Sequence, residues 1–257
     1  MISRRAFLYT SSLLALGLAS PLAAITTVEV EVICPVCGTK NQFMEYASWG
    51  SYIYAYPSKF QLVFWPHTWN ATIYCCKQCH LSAFMWDFKE FPKEKVAASA
   101  QLLKSVEFPG HYKKYTDIPA SNKLAVAEKI YALLERDDAF WNLFYRVVGY
   151  HCAVENKTDE AAGARRRALG IAQRMLADPA QAGHKKELLV IAASMHHFTG
   201  NDADSLKELH QAAKETFSDA QLGGERSKNY DQYLASLINE FKTAIQAGSV
   251  PDGTKGE

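Results

Sequence analysis

The sequence has no excess of either charge. Its 28 lysine and arginine residues stand against 27 aspartate and glutamate residues, which leaves a formal net charge of +1 at pH 7. Such a balance produces no overall field that would attract nucleic acid or an acidic membrane surface, so a partner of that kind would need a dense local patch. We interpret the arginine run at residues 165–167 as the solvated face of a helix. We therefore expect no nucleic-acid partner.

The beginning of the chain lacks an apolar run long enough to span a bilayer. Arg4 and Arg5 precede an apolar stretch over residues 6–18, but serine and glycine dilute it, and it falls short of the roughly 20 apolar residues that a transmembrane helix needs. Small residues follow it, so residues 1–24 predict a signal peptide. The letters S-R-R-A-F-L around the two arginines resemble the twin-arginine export motif. An ordinary secretion signal and an uncleaved anchor are the alternatives.

This signal predicts a bacterial protein that is periplasmic or otherwise extracytoplasmic, with no stable membrane span once the signal is cleaved. Exported chains usually oxidise their thiols, and the cysteine count of six is even, as disulfide pairing requires. The resemblance to twin-arginine signals implies a different history, because that route carries proteins that are already folded. A metal bound in the reducing cytoplasm would then be sealed in before export.

The sequence also lacks a recognisable arrangement of catalytic residues, and its chemistry lies with the cysteines. Two C-x-x-C pairs, one formed by Cys34 and Cys37 and the other by Cys76 and Cys79, have the spacing of a tetrathiolate zinc site, in which each turn supplies two sulfurs. Gly38 follows the first pair and permits the positive φ that lets backbone N–H groups point at the thiolates. These four cysteines are the predicted metal ligands, and zinc is the predicted cofactor.

Other interpretations of the cysteines are open at this point. A thioredoxin-like dithiol at Cys34 would require a long helix directly after it, and the following residues do not predict one. Iron in the same cage, as in rubredoxin, is a further alternative. Cys75 is interpreted as a buried residue, an alternative ligand or a disulfide partner of Cys152. His67 and His80 are candidate substitute ligands, although each is more typical of a surface or supporting position.

The segment around the cysteine pairs predicts a small β unit. Residues 27–33 alternate apolar and polar side chains and lead as a strand into the first pair, and residues 71–74 predict a strand that leads into the second. Between them, aromatic residues recur with period two over residues 52–56 and apolar residues do so over 60–64, which predicts an aromatic β-hairpin. Hairpins that carry paired cysteine turns are the building blocks of zinc ribbons.

From residue 81 onward the periodicity predicts helices. The expected helices cover residues 81–91, 92–105, 158–176 and 184–198, and others begin at Ser121, Asp138 and Asp202. A last helix carries its apolar face from Tyr230 to Ile245. His151 continues an apolar stripe and is expected to be a core residue. The tail after Gly248 is polar and is expected to be disordered.

Two resemblances to known families follow from these motifs. The residues around the turn at 200–202 are similar to one tetratricopeptide helix pair, with matches at Leu189, Ala192, Ala193, Ser205, Leu209 and Ala212. The C-P-V-C-G motif, the later C-K-Q-C-H-L-S-A-F-M-W-D-F segment and the helices after it resemble the bacterial domain-of-unknown-function family 2225. That resemblance implies a zinc-ribbon-like unit with metal ligands at Cys34, Cys37, Cys76 and Cys79, but it implies no activity.

The sequence therefore predicts an α+β protein made of a small zinc-ribbon-like β unit and an α-helical tetratricopeptide-like repeat or bundle. The predicted organisation is a signal peptide at 1–24, a zinc-ribbon-like domain at 25–91, a helical domain at 92–247 and a tail at 248–257. We expect a zinc-binding module whose helical domain takes a protein or peptide partner. No catalytic residue is assigned, and thiol–disulfide oxidoreductase and rubredoxin-like iron protein are the alternatives.

Overall fold

The computed structural model describes residues 26–48, 56–108, 110 and 112–251. The predicted α+β class is confirmed: a small antiparallel β part with a cysteine cluster precedes a series of helices. The predicted signal peptide lies outside the described residues, as does most of the predicted tail. Within the described ranges, no helix is long and apolar enough to cross a membrane.

Two β-hairpins make up the β part. Strand β1 (Thr26–Ile33) pairs with β2 (Lys40–Ser48), and β3 (Ile73–Cys75) pairs with β4 (Ser82–Phe84), both in antiparallel register. Each hairpin closes through a turn that contains one C-x-x-C pair. The strand predicted at residues 27–33 is confirmed, and the two cysteine pairs occupy equivalent positions at two hairpin tips.

The predicted aromatic hairpin is wrong in the part that the structure describes. Residues Pro57–Gln61 form a 3₁₀ helix that ends at Leu62 in the left-handed region, with φ of 48°. The physical reason is that Phe60, Gln61, Leu62 and Val63 are all buried, so the period-two pattern does not separate an inner from an outer face. The other predicted strand, around residue 52, lies outside the described residues.

The helices follow in chain order and agree broadly with the periodicity. Helix α1 begins at Met85 rather than at residue 81, because the residues before it are taken up by β4. Helix α4 is capped by Asp137, whose side chain accepts a hydrogen bond from the N–H of Phe140 at 2.8 Å, so the cap expected at Asp138 lies one residue too late. The helices are α1 (Met85–Lys89), α2 (Val96–Leu103), α3 (Ala120–Tyr131), α4 (Asp138–Val154), α5 (Thr158–Ala177), α6 (Lys185–His197), α7 (Asp202–Ala212) and α8 (Gly224–Gln246).

The buried side chains form two apolar clusters. The first joins both cysteine hairpins to helices α1 to α4, and in it the Phe43 and Tyr74 rings stack with centroids 4.0 Å apart. The second fills the space among α5 to α8 and also takes Phe60 and Leu62 from the 3₁₀ segment. The cysteine hairpins therefore share their core with α3 and α4.

The arginine run at residues 165–167 corrects one sequence expectation. Arg166 and Arg167 are exposed as expected, but Arg165 is only 7% exposed and donates to the side-chain oxygen of Gln61 at 2.9 Å and to the carbonyl of Phe198 at 3.2 Å. Helix α5 packs against both α4 and α6, so the first of the three arginines faces the protein interior. The solvated-face prediction is wrong for that residue.

Candidate metal centre

The two cysteine turns have the same backbone hydrogen bonds. In the first, the Cys34 N–H donates to Thr39 O at 2.8 Å and the Gly38 N–H donates to Cys34 O at 2.9 Å. In the second, Cys76 N–H donates to Leu81 O and His80 N–H donates to Cys76 O, both at 2.9 Å. The C-x-x-C spacing thus folds twice into one type of tight turn, which presents two thiols on the same side.

Each turn places the residue after its second cysteine in the left-handed region. Gly38 has φ of 71° and meets no steric penalty there, whereas His80 has φ of 59° and carries a side chain. The His80 ring stacks on Phe108, with centroids 4.2 Å apart and an interplanar angle of 18°. This stacking offsets part of the backbone cost, so the histidine serves the turn without contributing a metal ligand.

The four predicted ligands lie together. The Sγ atoms of Cys34, Cys37, Cys76 and Cys79 are all within 4.8 Å of one another, with Cys34 to Cys79 at 3.6 Å and Cys37 to Cys76 at 3.5 Å. A tetrahedral ion with metal–sulfur bonds of about 2.3 Å requires sulfur separations of about 3.8 Å, whereas a disulfide requires about 2.05 Å. The donor set and its spacing therefore fit one metal ion held by four sulfurs.

The thiols of the cluster share their protons unequally. Hydrogen bonds from the Cys34 and Cys79 thiols hold the pKa of Cys76 well below its usual range, and the Gln78 N–H adds a 3.5 Å contact to the same sulfur. The reciprocal hydrogen bond with Cys76 raises the pKa of Cys34 to about 12. The thiols of the cluster are therefore coupled to one another through the hydrogen bonds that they share. A cation bound there would displace the remaining protons.

Asn41 links the two turns and was missed at the sequence level. Its side chain is 2% exposed, its Nδ2 donates to Thr39 O at 2.9 Å and lies 3.7 Å from the Cys76 sulfur, and its Oδ1 accepts from the Lys77 N–H at 3.0 Å. One amide thus fixes the position of both turns relative to each other. An asparagine near the start of the strand after a C-x-x-C-G turn is the only signal that the sequence offers for it.

The cluster is buried on one side and accessible on the other. Cys34 and Cys76 are 1% and 0% exposed, whereas Cys37 is exposed and its thiol lies 3.2 Å from the hydroxyl of Thr39. Cys79 is half-buried, and Cys37 and Cys79 both line a cavity of about 320 Å³ beside α2. The inner pair belongs to the core, and the outer pair is the side from which a metal or a reagent would approach.

The remaining candidates lie outside the cluster. Cys75 and Cys152 are both free and buried, and desolvation raises the pKa of each to about 11. The burial expected for Cys75 is confirmed, and the structure does not form the alternative disulfide between these two thiols. Among the described residues, neither His67 nor His80 joins the four sulfurs. His151 is 3% exposed, as predicted for a core histidine.

Searches against protein-family models, curated proteins and solved structures found no match to this chain.

Proposed function

We propose that this chain is an exported zinc-binding protein whose metal centre is structural and whose helical part binds a protein or peptide partner. The observation that carries the proposal is the approach of four cysteine sulfurs to within 4.8 Å on two equivalent hairpin turns. Four thiolates fill all four positions of a tetrahedral zinc ion and leave none for an activated water. The centre therefore supports folding rather than hydrolysis.

A thiol–disulfide oxidoreductase is the weaker alternative. Redox dithiols of the thioredoxin type place the first cysteine at the start of a helix, where the helix dipole stabilises the thiolate. Here Cys37 is followed by β2 and Cys79 is followed by β4, so neither pair opens a helix. Iron in the same four-sulfur cage is the other alternative, and the sulfur spacing is equally suited to it. Visible absorption of the purified protein separates iron from colourless zinc.

The proposal of a protein or peptide partner rests on the helical part. From α4 to α7 each helix packs against the next one in the chain, as in helical repeats. The small residues of the tetratricopeptide-like pair, Ala192, Ala193 and Ala212, are each 0% exposed and let α6 and α7 approach closely. Surfaces built in this way usually bind peptides. Crosslinking at native expression level tests the proposal, and a chain that is recovered uncrosslinked and alone contradicts it.

Export is proposed from residues 1–24 alone. Cell fractionation of the full chain, compared with a double Arg4→Lys and Arg5→Lys variant, tests the twin-arginine route. We expect the double variant to stay in the cytoplasm, because an ordinary secretion signal tolerates lysine whereas the twin-arginine route does not. Equal export of both chains contradicts this part of the proposal and leaves the metal centre untouched.

Two adjacent cysteines provide a matched test of the metal centre. Cys76→Ser removes a ligand, and Cys75→Ser removes a buried thiol next to it that lies outside the cluster. We expect one zinc per chain by elemental analysis in the wild type and in Cys75→Ser, and loss of the metal in Cys76→Ser. A wild-type protein with much less than one metal ion per chain, or with a disulfide between Cys34 and Cys37, overturns the structural-metal proposal.

Chelation then tests whether the metal supports the fold. Structural zinc sites contribute roughly 10–16 kcal/mol in small peptides, which is comparable with the roughly 5–15 kcal/mol stability of a domain. We expect hydrogen exchange to accelerate first in the hairpins and α3, which share the first core, while α8 in the second core keeps more of its protection. Unchanged exchange after complete metal removal contradicts a structural role.

A further inference from the structure

The four residues of the cysteine cluster differ in how far solvent reaches them. Cys34 and Cys76, the first cysteine of each turn, are 1% and 0% exposed, whereas Cys37 is exposed and Cys79 is half-buried. The cavity of about 320 Å³ beside α2 is lined by both of these outer residues. A small reagent in solution therefore reaches an outer sulfur, and Cys37 most readily, before it reaches an inner one.

Each outer sulfur lies against an inner sulfur of the other turn. The Sγ atoms of Cys37 and Cys76 are 3.5 Å apart, and those of Cys79 and Cys34 are 3.6 Å apart. A disulfide has its sulfurs about 2.05 Å apart, so a movement of roughly 1.5 Å closes either pair. An accessible thiol with a second thiol within reach is typical of cysteines that oxidise reversibly, because the second thiol captures the sulfenic acid before it oxidises further.

The surroundings of Cys76 suit it to the part of this second thiol. Nδ2 of Asn41 lies 3.7 Å from its sulfur and the N–H of Gln78 lies 3.5 Å from it. These contacts orient a sulfur that solvent does not reach. A dissolved oxidant therefore meets Cys37 first, and Cys76 reacts only with a Cys37 that is already modified.

We propose that Cys37 is the oxidation site of the cluster and that hydrogen peroxide converts the Cys37 and Cys76 thiols into a disulfide that joins the two turns. The Cys37 sulfur attacks the peroxide, so the O–O bond breaks, one oxygen remains on the sulfur as a sulfenic acid and the other leaves as water. The Cys76 sulfur then attacks that of Cys37, the S–O bond breaks and a second water leaves with the thiol proton. The two sulfurs lose two electrons, which the peroxide accepts.

The disulfide links the two hairpins when the metal no longer does. A disulfide within one C-x-x-C pair would leave the hairpins unconnected, whereas the bond between Cys37 and Cys76 spans 39 positions and holds β1 and β2 to β3 and β4. The inference rests on the proposed metal centre, because it assigns what the same residues do when two of the four thiol ligands are consumed. The oxidised chain no longer offers a tetrathiolate site, so its metal is released.

Peptide mapping of the full chain after one equivalent of hydrogen peroxide tests the proposal, with the metal content measured first. Trypsin cleaves after Lys40, Lys59 and Lys77, which places the two turns on separate peptides and also separates Cys76 from Cys79. We expect the main linked product to join the peptide that ends at Lys40 to the peptide that ends at Lys77, at least fivefold above any other linkage. Dithiothreitol should reverse it.

Two controls assign the sulfurs of this product. Fragmentation distinguishes Cys37 from Cys34 in the first peptide, and Cys75→Ser, which removes the neighbour of Cys76, should keep the product. A disulfide within one pair, a main linkage through Cys34 or Cys79, or irreversible oxidation of Cys37 without linkage overturns the proposal. A chain that is isolated without metal contradicts the proposed function instead, and its peptide map still decides this inference.

Hydrogen exchange provides a second readout on the wild-type chain. The oxidised chain and the reduced chain after chelation both lack the metal, but only the oxidised chain has its hairpins joined. We expect the amides of α3, which shares the first core with both hairpins, to exchange at least tenfold more slowly in the oxidised chain. Equal exchange in the two states overturns the assignment of the disulfide as the link between the hairpins.

Discussion

The two cysteine turns differ at one equivalent position, and this difference gives a quantitative test of their backbone. A Cβ added at Gly38 would meet nothing within 4 Å, so Gly38→Ala changes only the backbone preference. Because φ there is 71°, alanine would be held in the left-handed region at a cost of roughly 1–2 kcal/mol. Glycine's greater freedom in the unfolded chain adds up to about 1 kcal/mol in the opposite direction. We expect Gly38→Ala to lower the free energy of unfolding by about 1 kcal/mol.

The second turn should give the reverse result. His80→Gly and His80→Ala both lose the ring that stacks on Phe108, which is worth about 0.5–1.5 kcal/mol, but only the alanine keeps the left-handed cost. We therefore expect His80→Gly to be about 1 kcal/mol more stable than His80→Ala. Urea unfolding, with the same metal content verified in each protein, measures both differences. A neutral Gly38→Ala, or a His80→Gly no more stable than His80→Ala, refutes the equivalence of the two turns.

Three other predictions concern groups buried elsewhere. Burial lowers the pKa of His151 to about 4, so between pH 6.5 and 4 the unfolded chain binds a proton that the folded chain does not bind. The free energy of unfolding should therefore fall by about 1.4 kcal/mol per pH unit as the pH is lowered from 6.5 towards 4. We expect His151→Gln to flatten this part of the plot of urea midpoint against pH, and an unchanged plot contradicts the prediction. Burial likewise lowers the pKa of Lys123 to about 7, so the free energy of unfolding of the wild type should rise between about pH 7 and 10. We expect this rise to be absent in Lys123→Met, and the same pH dependence in both proteins contradicts the prediction. Gly149→Ala places a Cβ 2.9 Å from Cγ of Arg165 and should lower the free energy of unfolding by about 1–3 kcal/mol. A Cβ at Gly163 meets nothing within 4 Å, so Gly163→Ala should raise the free energy of unfolding by about 1 kcal/mol. Thermal unfolding measures both changes, and a change of the same sign in the two variants contradicts the prediction.

The cluster of four cysteines could be predicted from the sequence because the two turns are local. A C-x-x-C pair and the residue after it determine a tight turn within six positions, and two such turns predict a four-sulfur site whatever lies between them. The helix boundaries were predictable for a similar reason, since caps and apolar periodicity act over short distances. For example, the helix predicted at residues 158–176 differs from α5 by one residue at its end.

What the sequence did not predict depends on contacts between distant residues. Asn41 acts by joining two turns 36 positions apart, and its place after the first turn does not indicate the second turn as its partner. Arg165 is buried because Gln61, 104 positions away, meets its guanidinium. The aromatic hairpin failed in its described part because Phe60 and Leu62 are covered by helices that follow much later in the chain, whereas Val63 packs in the other core cluster. Periodicity reports which residues are apolar, but it does not report which partner covers them.

The position of the four cysteines in the first core cluster explains how a metal ion bound there would affect the helices. Cys34 and Cys76 pack in the same cluster as Tyr131 of α3, whose hydroxyl donates to Asp87 of α1 at 2.8 Å and accepts from the N–H of Phe84 at 2.8 Å. Phe84 ends the strand that closes the second cysteine turn, so a single hairpin connects the four sulfurs to helix α3. Because α4 packs on α3 in this cluster and on α5 beyond it, the cysteine hairpins support the helix with which the repeat-like series begins.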